Sequence, residues 1–542
     1  MKKPCYVIGV DYGTLSARAV VADAADGAIL SSCTYPYPHA VMTDSLPTGE
    51  KLGPEWALAS GEDYDEGLIR VIRGALAEAP IDPMDVVGIG VDGTSFTMVL
   101  TDEAGEILSK KPGFARRPHA HIKLWKHHTA QPQALRLQEA AEAARAPFLA
   151  RCGFVPSCEW ALPKLMEVRE LDREVYDSAA YALDLCDYIT WKLTGKRTRS
   201  LNSAGFKSNY VPGIGYPDKA FLSSLYEDGD FGEEYHRLMD GPVLAQGACI
   251  GPLDPDMADQ LGLSHRVMVG PGMIDGHTSI MAVGMCEPGE ATLVVGTSIV
   301  LSILSEELAE IPGVCGVCMG GFGPDLCAVD TGQNCTGDML NWYMENALPA
   351  SVEREALAEG ISPHDLLSRK AAESEPWNNS LTVMDWWNGN RNILCDMSLR
   401  GSIQGLSMDT RPEDIYCALM QGIVCGTRHI IERCAEYGAP VKKLVCCGGI
   451  PCKNPFLMQQ YANILHMPVE ATTVSEGPAL GSAVFGAMAA GLYPTLEEAE
   501  KRMMLKERVL YTPDLEHADA YERIYRRSRN YHDLLGNMEQ PR

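Results

Sequence analysis

No apolar stretch in this sequence reaches the roughly 18 consecutive residues that a membrane-spanning helix needs. No run of five or six like charges occurs, so there is no acidic or basic tail. The G-x-x-x-x-G-K-[ST] phosphate loop is missing, which excludes the P-loop architecture. Basic residues are in deficit, 46 against 72 acidic, for a net charge of −26. A field of that sign repels phosphate backbones and argues against nucleic acid as a partner. The N-terminal "MKKPCYVIGVDYG" has two lysines but no usable apolar core, because Asp11 interrupts it, and no A-x-A cleavage site follows. A cytoplasmic protein without a membrane partner is expected. The 18 cysteines are scattered singly and read as reduced, mostly buried small residues.

What is present is ordinary for a globular chain: 46% hydrophobic and 22% charged residues over 542 positions. That length suits two to four domains with a large core. Residues 5–23, "CYVIGVDYGTLSARAVVAD", read as strand, tight turn, strand. "VVGIGVDGTSFTMVLTD" at 86–102 and "EATLVVGTSIVLSIL" at 290–304 repeat the rhythm. Helical patterns lie between them, including "LWKHHTAQPQALRLQEAAEAARAPFLARCG" and "EDIYCALMQGIVCGTRHIIERCAEYG". Interleaved hairpins and helices predict an α/β fold. The recurrence of strand-Gly-Thr-strand predicts two similarly built halves. Pro and Gly cluster in "GMCEPGEA", which places a boundary near residue 285. The predicted domains are 1–285, 286–495 and a charged helical tail, 496–542, that packs on the body.

In the first hairpin, Gly13 at the tip lets backbone N–H groups approach an anion, and Thr14 and Ser16 add hydroxyl donors. Asp11 faces the same space and suits Mg²⁺ held through water. Taken alone, Asp-x-Gly is also ordinary turn chemistry. The second tip, Gly296-Thr297-Ser298, tilts the balance, because two such hairpins can grip one polyphosphate from both sides. At 445–491 a strand runs into Gly448-Gly449 and a helix beginning near Asn454, so backbone can lie close to a flat ligand. Asp275, in "VGPGMIDGHTSIMAVG", reads either as a helix N-cap or as a catalytic base. "GIGVDG" at 88–93 matches G-x-G-x-x-G, but a strand follows it rather than a helix, so the dinucleotide reading fails. His119, His121, His127 and His128 lie close in sequence without a supporting carboxylate or cysteine, and Cys315 and Cys318 form a lone C-x-x-C. Neither supports a zinc site.

These motifs resemble the FGGY family of carbohydrate kinases, in the actin, hexokinase and Hsp70 superfamily. The supporting stretches are "GVDYGTLSARA", "LWKHHTAQ", "SCEWALPK", "NSAGFKSNY", "MIDGHTS", "DTGQNCTGDMLNW", "DWWNGNR" and "CGGIPCKNP", from about residue 5 to 535. "LWKHH" and "DWWNGNR" are most similar to the members that phosphorylate ribulose. The resemblance implies two actin-like (ribonuclease H-like) domains around a central cleft, with ATP and Mg²⁺ as cofactors and a pentulose as substrate. It also implies a homodimer. It places the catalytic base on Asp275 and sugar contacts on Ser95, Trp125, Lys207, Asp275 and Asp330. Phosphate and nucleotide contacts fall on Asp11, Gly13, Thr14, Ser16, Gly296, Thr297, Ser298, Gly448, Gly449 and Asn454. The implied reaction is transfer of phosphate to the C5 hydroxyl of ribulose, L-ribulose foremost, within arabinose catabolism. Kinases of xylulose, D-ribulose or a polyol are the alternatives, and a non-catalytic sugar sensor is a remote one. A chaperone-like ATPase would need a peptide-binding domain, for which only about fifty residues remain after residue 490. Two departures stand out. Ribulose-specific members carry Glu-Ala-Gly-Gln where this chain has Asp330-Thr331-Gly332-Gln333, and "VVGTSIV" ends differently from the usual "GTST".

Overall fold

The computed structural model describes residues 4–323, 326–473 and 476–538. The chain divides into two compact units. Unit 1 comprises Met1–Glu287, Gly316–Ala328 and Glu476–Leu505; unit 2 comprises Pro288–Cys315, Val329–Ser475 and Lys506–Arg542. Two late segments thus join the N-terminal sequence in unit 1. In the charged C-terminal stretch, the helix Leu496–Met503 belongs to unit 1 and the helix Ala518–Gly536 to unit 2.

The main sheet of unit 1 is built on β1 (Tyr6–Tyr12), β2 (Ser16–Asp23), β3 (Ile29–Pro36), β4 (Val86–Gly93), β5 (Gly251–Pro252), β6 (Met268–Val269) and β7 (Met273–Ile274). Its order is β5-β6-β4-β1-β2-β3, with β7 also paired to β4. β1 to β3 are an antiparallel meander, while β4 lies parallel to β1. In unit 2, β8 (Glu290–Val295), β9 (Ile299–Ser305), β10 (Cys327–Gln333), β11 (Lys443–Cys447), β12 (Val469–Thr472) and β13 (Arg508–Tyr511) are ordered β13-β12-β11-β8-β9-β10. Again the first two strands form an antiparallel hairpin, and β11 and β12 add in parallel. An antiparallel edge pair closes both sheets, β5 on β6 and β13 on β12. The internal repeat expected from the two Gly-Thr hairpins is therefore a repeat of topology. β1 and β8 are buried along most of their length, because each is covered on both faces.

Covering β1 and β4 requires close approach. The helix Gly477–Ala489, "GPALGSAVFGAMA", is rich in Gly, Ala and Ser and lies over these strands. A Cβ on Gly9 would sit 1.7 Å from Ala479 O, one on Gly88 2.0 Å from Gly486 O, and one on Gly90 1.8 Å from Ser482 O. The three strand glycines are thus a single device that lets helix backbone touch sheet backbone. The opposite side holds a large apolar core that includes Ile8, Val10, Tyr64, Leu68 and Val71.

The helix expected to start in "LWKHH" begins only at Gln131, with Pro132 in its first turn. Residues 122–123 are instead a short strand, followed by turns. Proline is pre-organised for a helix start and cannot supply an interior N–H, which fixes the boundary there. The long helix expected from "EDIYCALMQGIVCG" spans Pro412–Glu436. No helix among the described residues is long and apolar enough to cross a membrane.

Candidate active site

Asp275 opens the helix Asp275–Ala282 directly after β7. It is the first helical residue rather than the N-cap, a position held by Ile274. Its carboxylate accepts from the Gly276 N–H at 2.6 Å, and its carbonyl accepts from Thr278 Oγ1 at 2.7 Å. The approach to it is pinned by Asn202, whose Oδ1 accepts from the Ile274 N–H at 3.1 Å and whose Nδ2 donates to Gly321 O at 2.8 Å. Gln246 Nε2 holds Gly272 O at 2.9 Å. The carboxylate is thus aimed by backbone on both sides. Removal from water raises it to about 7, with Asp11 and Asp184 pushing the same way and the Gly276 N–H and Lys207 opposing. A carboxylate poised near neutrality can take up and release a proton.

Lys207 lies in the same unit on the helix Leu201–Ser208, its Nζ 5.9 Å from the Trp160 ring centroid. Asp11 and Asp92 are cross-strand partners on β1 and β4. Ser482 Oγ donates to Asp92 Oδ2 at 2.5 Å, while Asp92 Oδ1 is buried and finds no hydrogen-bond partner among the described residues. Burial raises both carboxyls, and the two interact with each other. Such a pair needs a proton or a cation to neutralise it. Among the described residues no group of three or more metal-ligating side chains is assembled. The Asp11–Asp92 pair would fit a divalent cation that keeps several waters and takes only one or two protein carboxylates beside phosphate.

The first hairpin tip is closed by the Gly13 N–H to Ser16 O at 3.0 Å, the second by the Gly296 N–H to Ser298 O at 2.9 Å. The carbonyls of Gly296 and Thr297 accept from the Gly337 and Thr336 N–H groups at 3.1 and 2.9 Å, which seats the second tip on the helix Gly337–Asn346. Trp125 Nε1 donates to Thr14 Oγ1 at 3.1 Å, so the expected sugar-side indole touches the first tip. Ser95 is half-buried in the turn after β4. In unit 2, Gly448 has φ +103°, and a Cβ there would meet Val295 O at 2.7 Å; Gly449 faces open space. Asn454 caps the helix Pro455–Leu465, its Oδ1 accepting from the Leu457 N–H at 2.9 Å. Asp330 is buried on β10, with its carbonyl accepting from the Cys315 N–H at 2.9 Å. Two residues along, the Gly332 N–H donates to Asn392 Oδ1 at 2.9 Å, and Gln333 Nε2 donates to Asp385 Oδ2 at 2.6 Å. The "DTGQ" and "DWWNGNR" motifs are thus one hydrogen-bonded assembly in unit 2. Of the expected residues, unit 1 carries Asp11, Gly13, Thr14, Ser16, Ser95, Trp125, Lys207 and Asp275; the others lie in unit 2.

The histidines take structural places. His127 is buried against Lys123, Glu167 and Thr129. His119 packs edge-on to Trp56, and His128 bonds Glu55 and Glu159. Three residues of the unit 1 site were not picked out from sequence: Asp92, Asp184 and Asn202. Asp184 accepts from the Thr97 N–H and from Ser203 Oγ, and burial raises it to about 6.

Comparison with known proteins agrees with this arrangement. Residues 6–282 match the model of the FGGY family of carbohydrate kinases, N-terminal domain, and residues 291–490 match its C-terminal domain. The chain is 37% identical over 539 residues to a ribulokinase of Geobacillus thermodenitrificans, covering 98% of this chain and 95% of the relative. It is 38% identical over 535 residues to a ribulokinase of Mycolicibacterium smegmatis, covering 98% and 94%. Among solved structures, the xylulose kinase of Rhodospirillum rubrum superposes with TM-score 0.78 at 21% identity, covering 98% and 99% of the two chains. The gluconate kinase of Lactobacillus acidophilus gives TM-score 0.80 at 17% identity, covering 99% of each. At such identities the structures establish the fold alone. With both family models matched in order and relatives aligned over nearly the whole length, the chain belongs to the FGGY family of carbohydrate kinases and is a sugar phosphotransferase.

Proposed function

We propose that this protein transfers the γ-phosphate of ATP to the C5 hydroxyl of a ribulose, L-ribulose foremost, releasing ribulose 5-phosphate and ADP. The observation that carries the chemistry is Asp275, held rigidly at a helix start, raised to about 7, with Lys207 close enough to influence it. In this reading Asp275 accepts the hydroxyl proton as the oxygen attacks phosphorus. Phosphoryl transfer has a loose transition state, so positioning and charge neutralisation supply most of the acceleration. Lys207 holds sugar oxygens. Ser95 and Trp125 line the sugar, and Asp330 accepts from one of its hydroxyls. The Gly13–Ser16 and Gly296–Ser298 tips donate to phosphate, and Gly448, Gly449 and Asn454 carry the nucleoside. Asp11, with Asp92 beside it, would hold Mg²⁺ through water, and when bound that ion supplies neutralising charge to the phosphates.

The names of the aligned relatives support ribulose as the sugar. A panel of L-ribulose, D-ribulose, L-xylulose and D-xylulose in a coupled ADP-release assay tests it. The expected result is a kcat/KM for L-ribulose at least about tenfold above either xylulose. A higher value for a xylulose overturns the choice of sugar and leaves the kinase intact. Asp330 is one methylene shorter than the glutamate of ribulose-specific members. Asp330→Glu is therefore expected to shift the ratio of kcat/KM among the four pentuloses by several-fold, with kcat on the best of them falling less than about threefold. An unchanged ratio would remove Asp330 from sugar recognition.

A further inference from the structure

Lys164 is fully buried in the helix Ala161–Leu171, yet it serves none of the roles above. Its Nζ donates to Phe96 O at 2.9 Å and to Leu124 O at 2.8 Å. Those carbonyls belong to the residues immediately after Ser95 and before Trp125. Phe96 has φ +24°, a backbone conformation uncommon for a residue with a large side chain, and its ring is buried. The turn that presents Ser95 is therefore held in shape by something other than its own preference.

We propose that Lys164 is a positioning residue for the sugar: by bonding both carbonyls from one ammonium it fixes the distance between the turn carrying Ser95 and the turn carrying Trp125. The inference rests on the sugar-side assignment of those two residues. A second anchor on the same helix supports it. Glu167 pairs with Lys123 at 3.0 Å and contacts His127 and Thr129, so the segment 123–129 is gripped on both sides of Trp125. Trp125 in turn donates to Thr14 at the first hairpin tip, so the tie extends to the phosphate side of unit 1. Burial lowers the Lys164 ammonium to about 7, with Glu159 and Cys158 opposing. A neutral amine still offers two N–H groups, so the tie holds in either protonation state.

The test is steady-state kinetics of the full chain with L-ribulose and MgATP, on Lys164→Met beside Leu165→Ala. Leu165 is equally buried one position along, and its truncation loosens the core without touching either carbonyl. Lys164→Met is expected to raise KM for L-ribulose about tenfold or more with KM for ATP within about twofold. Leu165→Ala is expected to lower Tm at least as much and leave both KM values within about twofold. If the methionine variant does not fold, Lys164→Gln carries the test, since its shorter amide keeps one carbonyl at most, and a several-fold rise is expected. A folded Lys164 variant with an unchanged KM for the sugar overturns the proposal, as does an equal rise in Leu165→Ala. The sugar-side assignment has its own arm. If Ser95→Ala and Trp125→Ala both leave KM for L-ribulose unchanged, that assignment fails independently of Lys164.

Discussion

Asp275→Asn is expected to lower kcat by about a thousandfold or more while the protein stays folded. Removing a positioned general base costs on the order of 10²–10⁴ in rate, and the amide cannot take the proton the nucleophile must lose. Nothing nearby substitutes for it without rearrangement: Asp11 and Asp92 face each other across paired strands, and Asp184 is engaged by the Thr97 N–H and Ser203 Oγ. The geometry tolerates the change. Asn presents an oxygen to the Gly276 N–H as Asp does, and Asn202 and Gln246 still pin the backbone on either side. A coupled ADP-release assay and a melting curve suffice. Turnover within tenfold of wild type would remove Asp275 from the base role.

The pH dependence follows with a definite sign. In the base role Asp275 acts ionised, and removal from water, with Asp11 and Asp184 nearby, raises it to about 7. The kcat/KM of the free enzyme should therefore fall about tenfold per pH unit below 7 and level off above it. Stability runs the other way. An aspartate raised in the folded state binds its proton more tightly there than in the unfolded chain. Between about pH 4 and 7 this group therefore makes stability fall as pH rises. Asp275→Asn lacks that loss, so its Tm at pH 8 is expected to equal or exceed that of wild type. A variant that is inactive yet more stable at alkaline pH separates chemistry from folding.

What could be read in the sequence has a physical pattern. The two Gly-Thr tips were legible because a turn between β-branched runs is local chemistry, and in each the glycine N–H closes the turn on a serine carbonyl, three residues on at Gly13 and two on at Gly296. Asp275 stood out because glycines precede it, although the structure makes it the first helical residue rather than the cap. Asp92 carries a usable signal, because "GVDGTS" echoes "GVDYGTLS" and the register pairs Asp92 with Asp11, although the overlapping G-x-G-x-x-G match obscures it. Asp184 carries none, and the "NSAGFKSNY" and "SCEWALPK" stretches that contain Asn202 and Lys164 do not say what those two residues hold. Asn202 acts on Ile274, Asp184 on Thr97, and Lys164 on Phe96 and Leu124, each across 40 to 87 positions. Spacing within a motif cannot report such contacts. The helix expected from "LWKHH" starts instead at Gln131, because Pro132 in its first turn outweighs the apolar rhythm before it.

Gly90→Ala, the addition of one methyl group, is expected to destabilise the protein by about 3 kcal/mol or more. Overpacking a core costs typically 1–3 kcal/mol when side chains can give way. Here the new Cβ would lie 1.8 Å from Ser482 O and 2.6 Å from the Ser482 carbonyl carbon, both backbone atoms of a regular helix. That helix cannot yield locally, since it also rests on Gly9 and Gly88 and carries Gly481 against Thr278 O of the helix that Asp275 opens. Relief requires the whole helix to retreat by more than an ångström. The retreat lengthens the 2.5 Å bond from Ser482 Oγ to Asp92 and leaves a buried carboxylate facing Asp11 with less compensation. At about 1 °C per kcal/mol for a chain of 542 residues, the fall in Tm should be about 3 °C or more, or the variant should be insoluble. Gly53→Ala is the matched control. Gly53 is exposed, its added Cβ would meet nothing closer than 3.8 Å, and restricting the unfolded chain there should leave Tm unchanged or slightly raised. A Gly90→Ala protein that melts within about 2 °C of wild type would mean that helix and sheet backbones do not touch as described, and that the seating of Ser482 on Asp92 does not depend on the strand glycines.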